Sequence, residues 1–224
     1  MKNSMLDRWC KRAWIKFSCC ITAFVTVAVL LFWKEWSADV KIIAGIAALI
    51  PVHVLEEWVF PGGFHFQYNS IFRSDLPDRY PMSRLSDMIT NLGATIFFLI
   101  ITVIGVINGH ISTGVILGSL IFSALEVITH TIFGVAMYSK FKNKGKTTIY
   151  GPGSITAYVG FGVFGTLLLY SLESLTITFG DWMVCAGFIL VLHIVFILMP
   201  ESLTKKKDTI FFYENNGYFE RFLK

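Results

Sequence analysis

Charged side chains are scarce in this sequence: Asp, Glu, Lys and Arg make up 15% of its 224 residues, where a soluble domain carries about 25%. The shortfall falls in long apolar blocks, and mean hydropathy is +0.63. This excludes an ordinary soluble domain and points to a chain built for a bilayer. Cysteine is also scarce. Cys10, Cys19, Cys20 and Cys185 sit near the N-terminus or alone in a late apolar run, so no disulfide framework is expected. Cys10, Cys19 and Cys20 read as small apolar residues in preference to palmitoylation sites. The sequence lacks internal repeats and low-complexity segments. It also lacks the His-Glu-x-x-His pattern of zinc proteases and the Glu-x-x-His pattern of ferritin-like di-iron bundles.

Apolar length is what the chain has in abundance. Six segments suffice to cross a hydrocarbon layer of about 30 Å: Phe17–Trp33, Val40–Phe60, Arg84–Asn108, Ile111–Tyr138, Ser154–Leu172 and Asp181–Met199. Pro51 is expected to kink the second just before His53. Asn108-Gly109-His110 reads as a tight turn between the third and fourth. The first span follows Lys2, Arg8, Lys11, Arg12 and Lys16, as a signal peptide would, but Glu35-Trp36-Ser37-Ala38 is a poor cleavage site. We therefore expect this span to be retained.

Positive charge sets the orientation. With the N-terminus in the cytoplasm, all 19 Lys and Arg except Lys34 and Lys41 fall inside. The expectation is an all-α, polytopic bundle of six transmembrane helices with both termini cytoplasmic, in the cell membrane of a bacterium. The bilayer explains the basic patches and the net charge of +4, and no nucleic-acid partner is needed. Residues 1–40 would hold the basic segment and first helix, 41–200 a five-helix membrane domain, and 201–224 a basic, aromatic tail. That tail is expected either along the membrane surface or solvated.

Depth then singles out a set of polar residues. Ionisable groups inside a membrane are costly and normally face a protein interior with partners. His53-Val54-Leu55-Glu56-Glu57 puts a His and two Glu at i, i+3 and i+4 on one helical face. At 1.5 Å per residue, His53, Asn91, His130 and His193 each lie about 10–12 Å from the cytoplasmic boundary. Glu56, Glu57 and Glu126 fall in the same layer, and Asp87 one turn shallower. Four helices thus send polar groups to one level, which predicts a single site in the cytoplasmic half.

His53, His130, His193, Glu56, Glu57 and Glu126 are the ligand types of a zinc or iron site. Glu126 and His130, at i and i+4, can reach one ion. Three imidazoles could hold a zinc with an open position, or six ligands two metals; spacing leaves both open. The leading expectation is a metal-dependent membrane hydrolase acting on a lipid-like or amphiphilic molecule. His53, Glu57, Glu126, His130 and His193 would be its candidate ligands, and Glu56, Glu57 and Asn91 its candidate catalytic groups. Alternatives are a metal-independent glutamate intramembrane protease, a proton- or cation-coupled transporter, and a membrane scaffold. His65 and His110 read as solvated loop residues, and Glu173 and Asp181 as helix-end groups. Tyr150-Gly151-Pro152-Gly153 reads as a turn leading into a helix, with Ser154 a candidate N-cap. Gly160-x-Gly162-x-x-Gly165 reads as helix packing, not a dinucleotide fingerprint.

The pentad, followed by Phe60-Pro61-Gly62-Gly63-Phe64, resembles the HXXEE family of integral membrane proteins. Asn91, His130 and Tyr150-Gly151-Pro152-Gly153-Ser154-Ile155-Thr156 extend the likeness over roughly residues 45 to 200. The last segment is similar to the family's Tyr-Asn-Pro-Gly-x-x-Thr turn, with Gly151 where the family has Asn. The resemblance implies a shared polar site at His53, Glu56, Glu57, His130 and His193, and carries no established activity.

Overall fold

The computed structural model describes residues 5–223, apart from the side chain of Arg12. Lys2 of the expected N-terminal basic segment and Lys224 of the tail lie outside the described residues, as does the side chain of Arg12. Every regular element among the described residues is helical. Short helical turns from Met5 lead into α1 (Trp14–Leu31), followed by α2 (Ala38–Trp58), α3 (Phe64–Ile71), α4 (Arg84–Asn108) and α5 (Thr113–Phe141). Then come α6 (Thr156–Leu172) and α7 (Phe179–Thr204). Helices α1, α2, α4, α5 and α7 are long and apolar enough to cross a membrane, as in a multi-pass membrane protein, while α6 is shorter.

Local chemistry explains several boundaries. Helix α4 starts where expected because Ser83 and Ser86 form a reciprocal capping box. Thr178 and Asp181 form another, which starts α7 two residues before the apolar run suggests. Helix α2 continues through Pro51. Outward-facing positions such as Phe24, Leu31, Ile107 and Phe179 are apolar and exposed, the inverse of a soluble surface. Cys20 is exposed on α1, whereas Cys10 and Cys185 are buried.

Far from the polar layer, Ile43, Ile46, Phe98, Ile116, Leu117 and Phe188 fill the bundle. There α5 lies close against α7, with Gly114 facing Val184 and Gly118 facing Phe188. The second half of α7 packs on α4 instead, with Phe196 over Gly93. The two helices therefore diverge toward the end that carries the tail.

At that end the solvated readings of the tail and of His65 fail. The tail packs onto the bundle: Phe219 and Phe222 bury against Phe66, Met137 and Phe141, and the Tyr218 amide donates to Gly62 O at 3.0 Å. The Lys146 ammonium donates to Tyr150 O and, at 3.2 Å, to the Tyr218 hydroxyl, and burial lowers its pKa to about 8. His65 is not solvated but buried in α3, its ring stacked on Tyr213 with centroids 3.6 Å apart. Neither feature was legible, because α3 has no apolar stripe and the tail's aromatics have no partner visible in sequence.

Burial pushes the His65 imidazole down to about 3, opposed by a hydrogen bond to the Asn215 backbone. Below its ordinary 6.5, an undocked His65 takes up a proton that the docked one refuses. Docking is therefore at full strength above that pH and weakens on acidification toward pH 3, by up to about 1.4 kcal/mol per unit. Hydrogen exchange in residues 205–223 is expected to lose protection between pH 7 and 5, and His65→Phe to flatten the profile. An unchanged wild-type protection factor across that range would refute it.

Candidate functional site

Helix periodicity builds the centre. His53 and Glu57 stand one turn apart on α2, and Glu126 and His130 one turn apart on α5. The two imidazoles meet with their Nε2 atoms 3.2 Å apart. Glu57 Oε1 lies 3.3 Å from His53 Nε2 and 3.5 Å from His130 Nε2. Glu126 Oε2 lies 3.7 and 3.8 Å from the same two nitrogens. Donor atoms bound about 2.0–2.1 Å from a tetrahedral ion stand about 3.3 Å apart. His53, Glu126 and His130 offer one ligand atom each within 4.8 Å of one another, a group able to hold a metal ion, and Glu57 Oε1 stands still nearer both imidazoles.

Glu56, on the same turn of α2, is used differently. Its Oε1 accepts from the Ile155 amide at 3.1 Å and the Tyr150 hydroxyl at 3.2 Å. Its Oε2 accepts from the Thr156 amide at 2.8 Å and the Thr156 hydroxyl at 2.6 Å. The turn before α6 therefore docks its amides on this carboxylate, a side chain compensating a helix start. Ser154 is not the cap of that start; its Oγ accepts from the Gly151 amide within the turn.

These bonds fix a tautomer. A carboxylate only accepts, so the Thr156 hydroxyl spends its proton on Glu56. Its oxygen is then an acceptor for His53 Nδ1, 2.7 Å away. With Nδ1 turned to Thr156, His53 would have Nε2 to offer to an ion held among His130, Glu57 and Glu126. The Glu56–Thr156–His53 chain is the outer support that ligating histidines usually have.

The turn must be glycine-built. Gly153 has φ +90°, and a Cβ there would lie 2.2 Å from His130 Cε1 and 2.9 Å from His53 Cε1. Gly153→Ala is expected to cost about 2–5 kcal/mol, combining the left-handed backbone penalty with overpacking. Gly145, at φ +91° with nothing within 4 Å of a Cβ, isolates the first term, so Gly145→Ala should cost about 1–2 kcal/mol. Thermal unfolding in detergent checks the pair, and equal losses would contradict the close-approach argument. At Gly151, the position of a Cβ lies 2.2 Å from Gln67 Oε1, so a buried amide from α3 fills that space.

The centre opens into a cavity of about 370 Å³ lined by α2, α3, α4, α5, α6 and α7. His53, Glu57, Asn91, Glu126, His130 and His193 all line it. Asn91 does not touch the imidazoles; it donates to Asp87 Oδ1 at 2.7 Å. His193 is exposed on α7 and stands outside the group of converging ligand atoms. At this level α7 leans toward α4, and the third member of the converging group beside the two imidazoles is Glu126. Glu56 also leaves the cavity wall for the turn.

Sequence reasoning placed Asp87 beside the polar layer but gave it no role; it is 2% exposed and lines the cavity with Oδ2 unpartnered. Its placement one turn from Asn91 was the available signal. Tyr68, whose hydroxyl donates to Glu201 at 2.6 Å, comes from α3 and gave no signal, while Phe64, tilted against His130, was marked only as the end of the motif that follows the pentad.

No curated protein and no solved structure matches the chain. Residues 44–168, spanning the pentad, the α5 pair and the glutamate-docked turn, match the family model described as a protein of unknown function with HXXEE motif, and the chain belongs to that family.

Proposed function

We propose that the protein is a metal-dependent intramembrane hydrolase acting on an amphiphilic ester or amide. The observation that carries it is the convergence of His53 Nε2, His130 Nε2 and Glu126 Oε2, at 3.2, 3.7 and 3.8 Å. His53, His130 and Glu126 would hold a divalent cation there, zinc or iron, which would lower the pKa of a water and polarise a carbonyl oxygen. Glu57 faces both imidazoles, is 4% exposed, and lines the cavity as the general base that removes the proton of the attacking water. Glu56 and Thr156 hold His53 in register.

The same reading takes α6 as a sixth span, about 25 Å long at 1.5 Å per residue. It sets both termini and the site's end of the bundle in the cytoplasm, as the Lys and Arg distribution favours. A paired-glutamate protease fits less well, because four donors occupy Glu56. A transporter fits less well because Ile43, Ile46, Phe98, Ile116 and Phe188 block the far half.

Elemental analysis of protein purified in detergent tests the proposal. About one zinc or iron per chain is expected, lost in His130→Ala and in Glu126→Ala and retained in His193→Ala. A metal-free wild type that does not take up zinc or iron at micromolar concentration sinks it.

A further inference from the structure

The charge of the cavity wall is one-sided. Glu57, Asp87, Glu126 and Glu201 line it together with His53, His130 and His193, and neither lysine nor arginine does so among the described residues. The basic groups of that region are committed elsewhere. Arg84, one turn before Asp87, pairs with Asp7 at 3.0 Å, and Lys146 bonds the Tyr150 carbonyl. Away from the histidines and the ion proposed for them, a phosphate or carboxylate head would meet Asp87 and Glu201 with no lysine or arginine beside it.

One of these groups lacks a partner. Asp87 is 2% exposed, its Oδ1 accepts from Asn91, and its buried Oδ2 has no hydrogen-bond partner. Buried polar atoms of this kind are rare, and an absent ligand is one of the explanations that resolves them. Glu201 lies on the same wall and accepts from Tyr68 at 2.6 Å. An apolar stretch of the wall, Phe122, Phe133, Phe161, Leu192 and Phe196, runs alongside the polar groups. We take the mouth to lie between α5 and α7, where Leu125, Ile197 and His193 line the cavity and are exposed. An opening edged by exposed leucine and isoleucine faces acyl chains, not water.

We propose that the cavity binds a single-chain amphiphile whose head carries a hydrogen-bond-donating amine, seated against Asp87 with its chain along the phenylalanine wall. The volume of about 370 Å³ lies at the small end of ligand sites, about 300–1,000 Å³, which suits one chain and a compact head. This names the substrate class of the proposed hydrolase and rests on that reading for turnover, though not for binding.

Binding is measured with hexadecylamine and hexadecyl phosphate on the full chain in phosphatidylcholine nanodiscs, against empty nanodiscs, with and without chelator. The amine is expected to bind at least about 10-fold tighter than the phosphate, the worth of one charge-assisted hydrogen bond. Asp87→Asn should remove that preference, and Glu201→Gln should reduce it without touching the buried group. Equal or tighter phosphate binding overturns the proposal. So does a preference that survives Asp87→Asn, or, where that variant does not fold, one that Glu201→Gln leaves unchanged. Metal content is read from the same samples. A metal-free protein that still prefers the amine would defeat the hydrolase reading and leave the ligand class standing.

Discussion

Glu57→Gln is expected to lower turnover of amphiphilic esters or amides by about 10²–10⁴-fold, the usual contribution of a general base, while the bound ion stays. The prediction turns on a division of labour between two carboxylates about the same imidazoles. Glu57 approaches both Nε2 atoms at 3.3 and 3.5 Å, and Glu126 approaches them at 3.7 and 3.8 Å. Only Glu126 stands on α5, one turn from His130, and its side chain is a quarter exposed. If Glu126 is the ligand, Glu126→Gln releases metal and Glu57→Gln does not. Product release from a panel of fluorogenic acyl amphiphiles in nanodiscs, run beside elemental analysis, separates the two. Metal loss in Glu57→Gln with full occupancy in Glu126→Gln would exchange the roles and refute the assignment.

Glu56→Ala is expected to destabilise the protein by about 3–5 kcal/mol, the cost of removing one partner from a buried charged network. The two amides of Ile155 and Thr156 cannot turn away, and each buried unsatisfied donor costs about 1–3 kcal/mol. The hydroxyls of Tyr150 and Thr156 can rotate, which keeps the total below a sum over four bonds. Glu56→Gln retains one acceptor oxygen and should lose about half as much. Glu56→Ala frees the Thr156 proton, so the His53 tautomer is no longer enforced and metal affinity should drop about 10–100-fold, as for other outer-layer changes. Thermal melts and zinc titrations in one detergent check both effects. A Glu56→Ala melt within 0–1 °C of wild type would remove the carboxylate from its structural role.

Much of this arrangement is readable from the residues, for identifiable reasons. Helix existence followed from apolar length, and α4 could be bounded because Ser83 and Arg84 mark its start and Asn108-Gly109 its end. The common wall of His53, Asn91, Glu126, His130 and His193 followed from counting rise per residue from one boundary. Depth, however, carries no azimuth. It could not tell that His193 sits on the α7 half leaning toward α4, or that Glu56 points at the turn while Glu57 points at the imidazoles. Those directions depend on helix packing. The Thr156 hydroxyl that orients His53 lies 103 residues away from it, and no local pattern announces such a pairing. His65 and Tyr213 were hidden for the same reason: each looks solvated until the other is placed against it.

The divergence of α5 and α7 has a kinetic consequence. A substrate that reaches the centre between Leu125 and Ile197 arrives by lateral diffusion within the leaflet. Its encounter rate then depends on its mole fraction among the lipids and not on its amount per volume of buffer. Diluting the membrane with inert lipid or detergent should slow such an enzyme even when every bulk concentration is held constant.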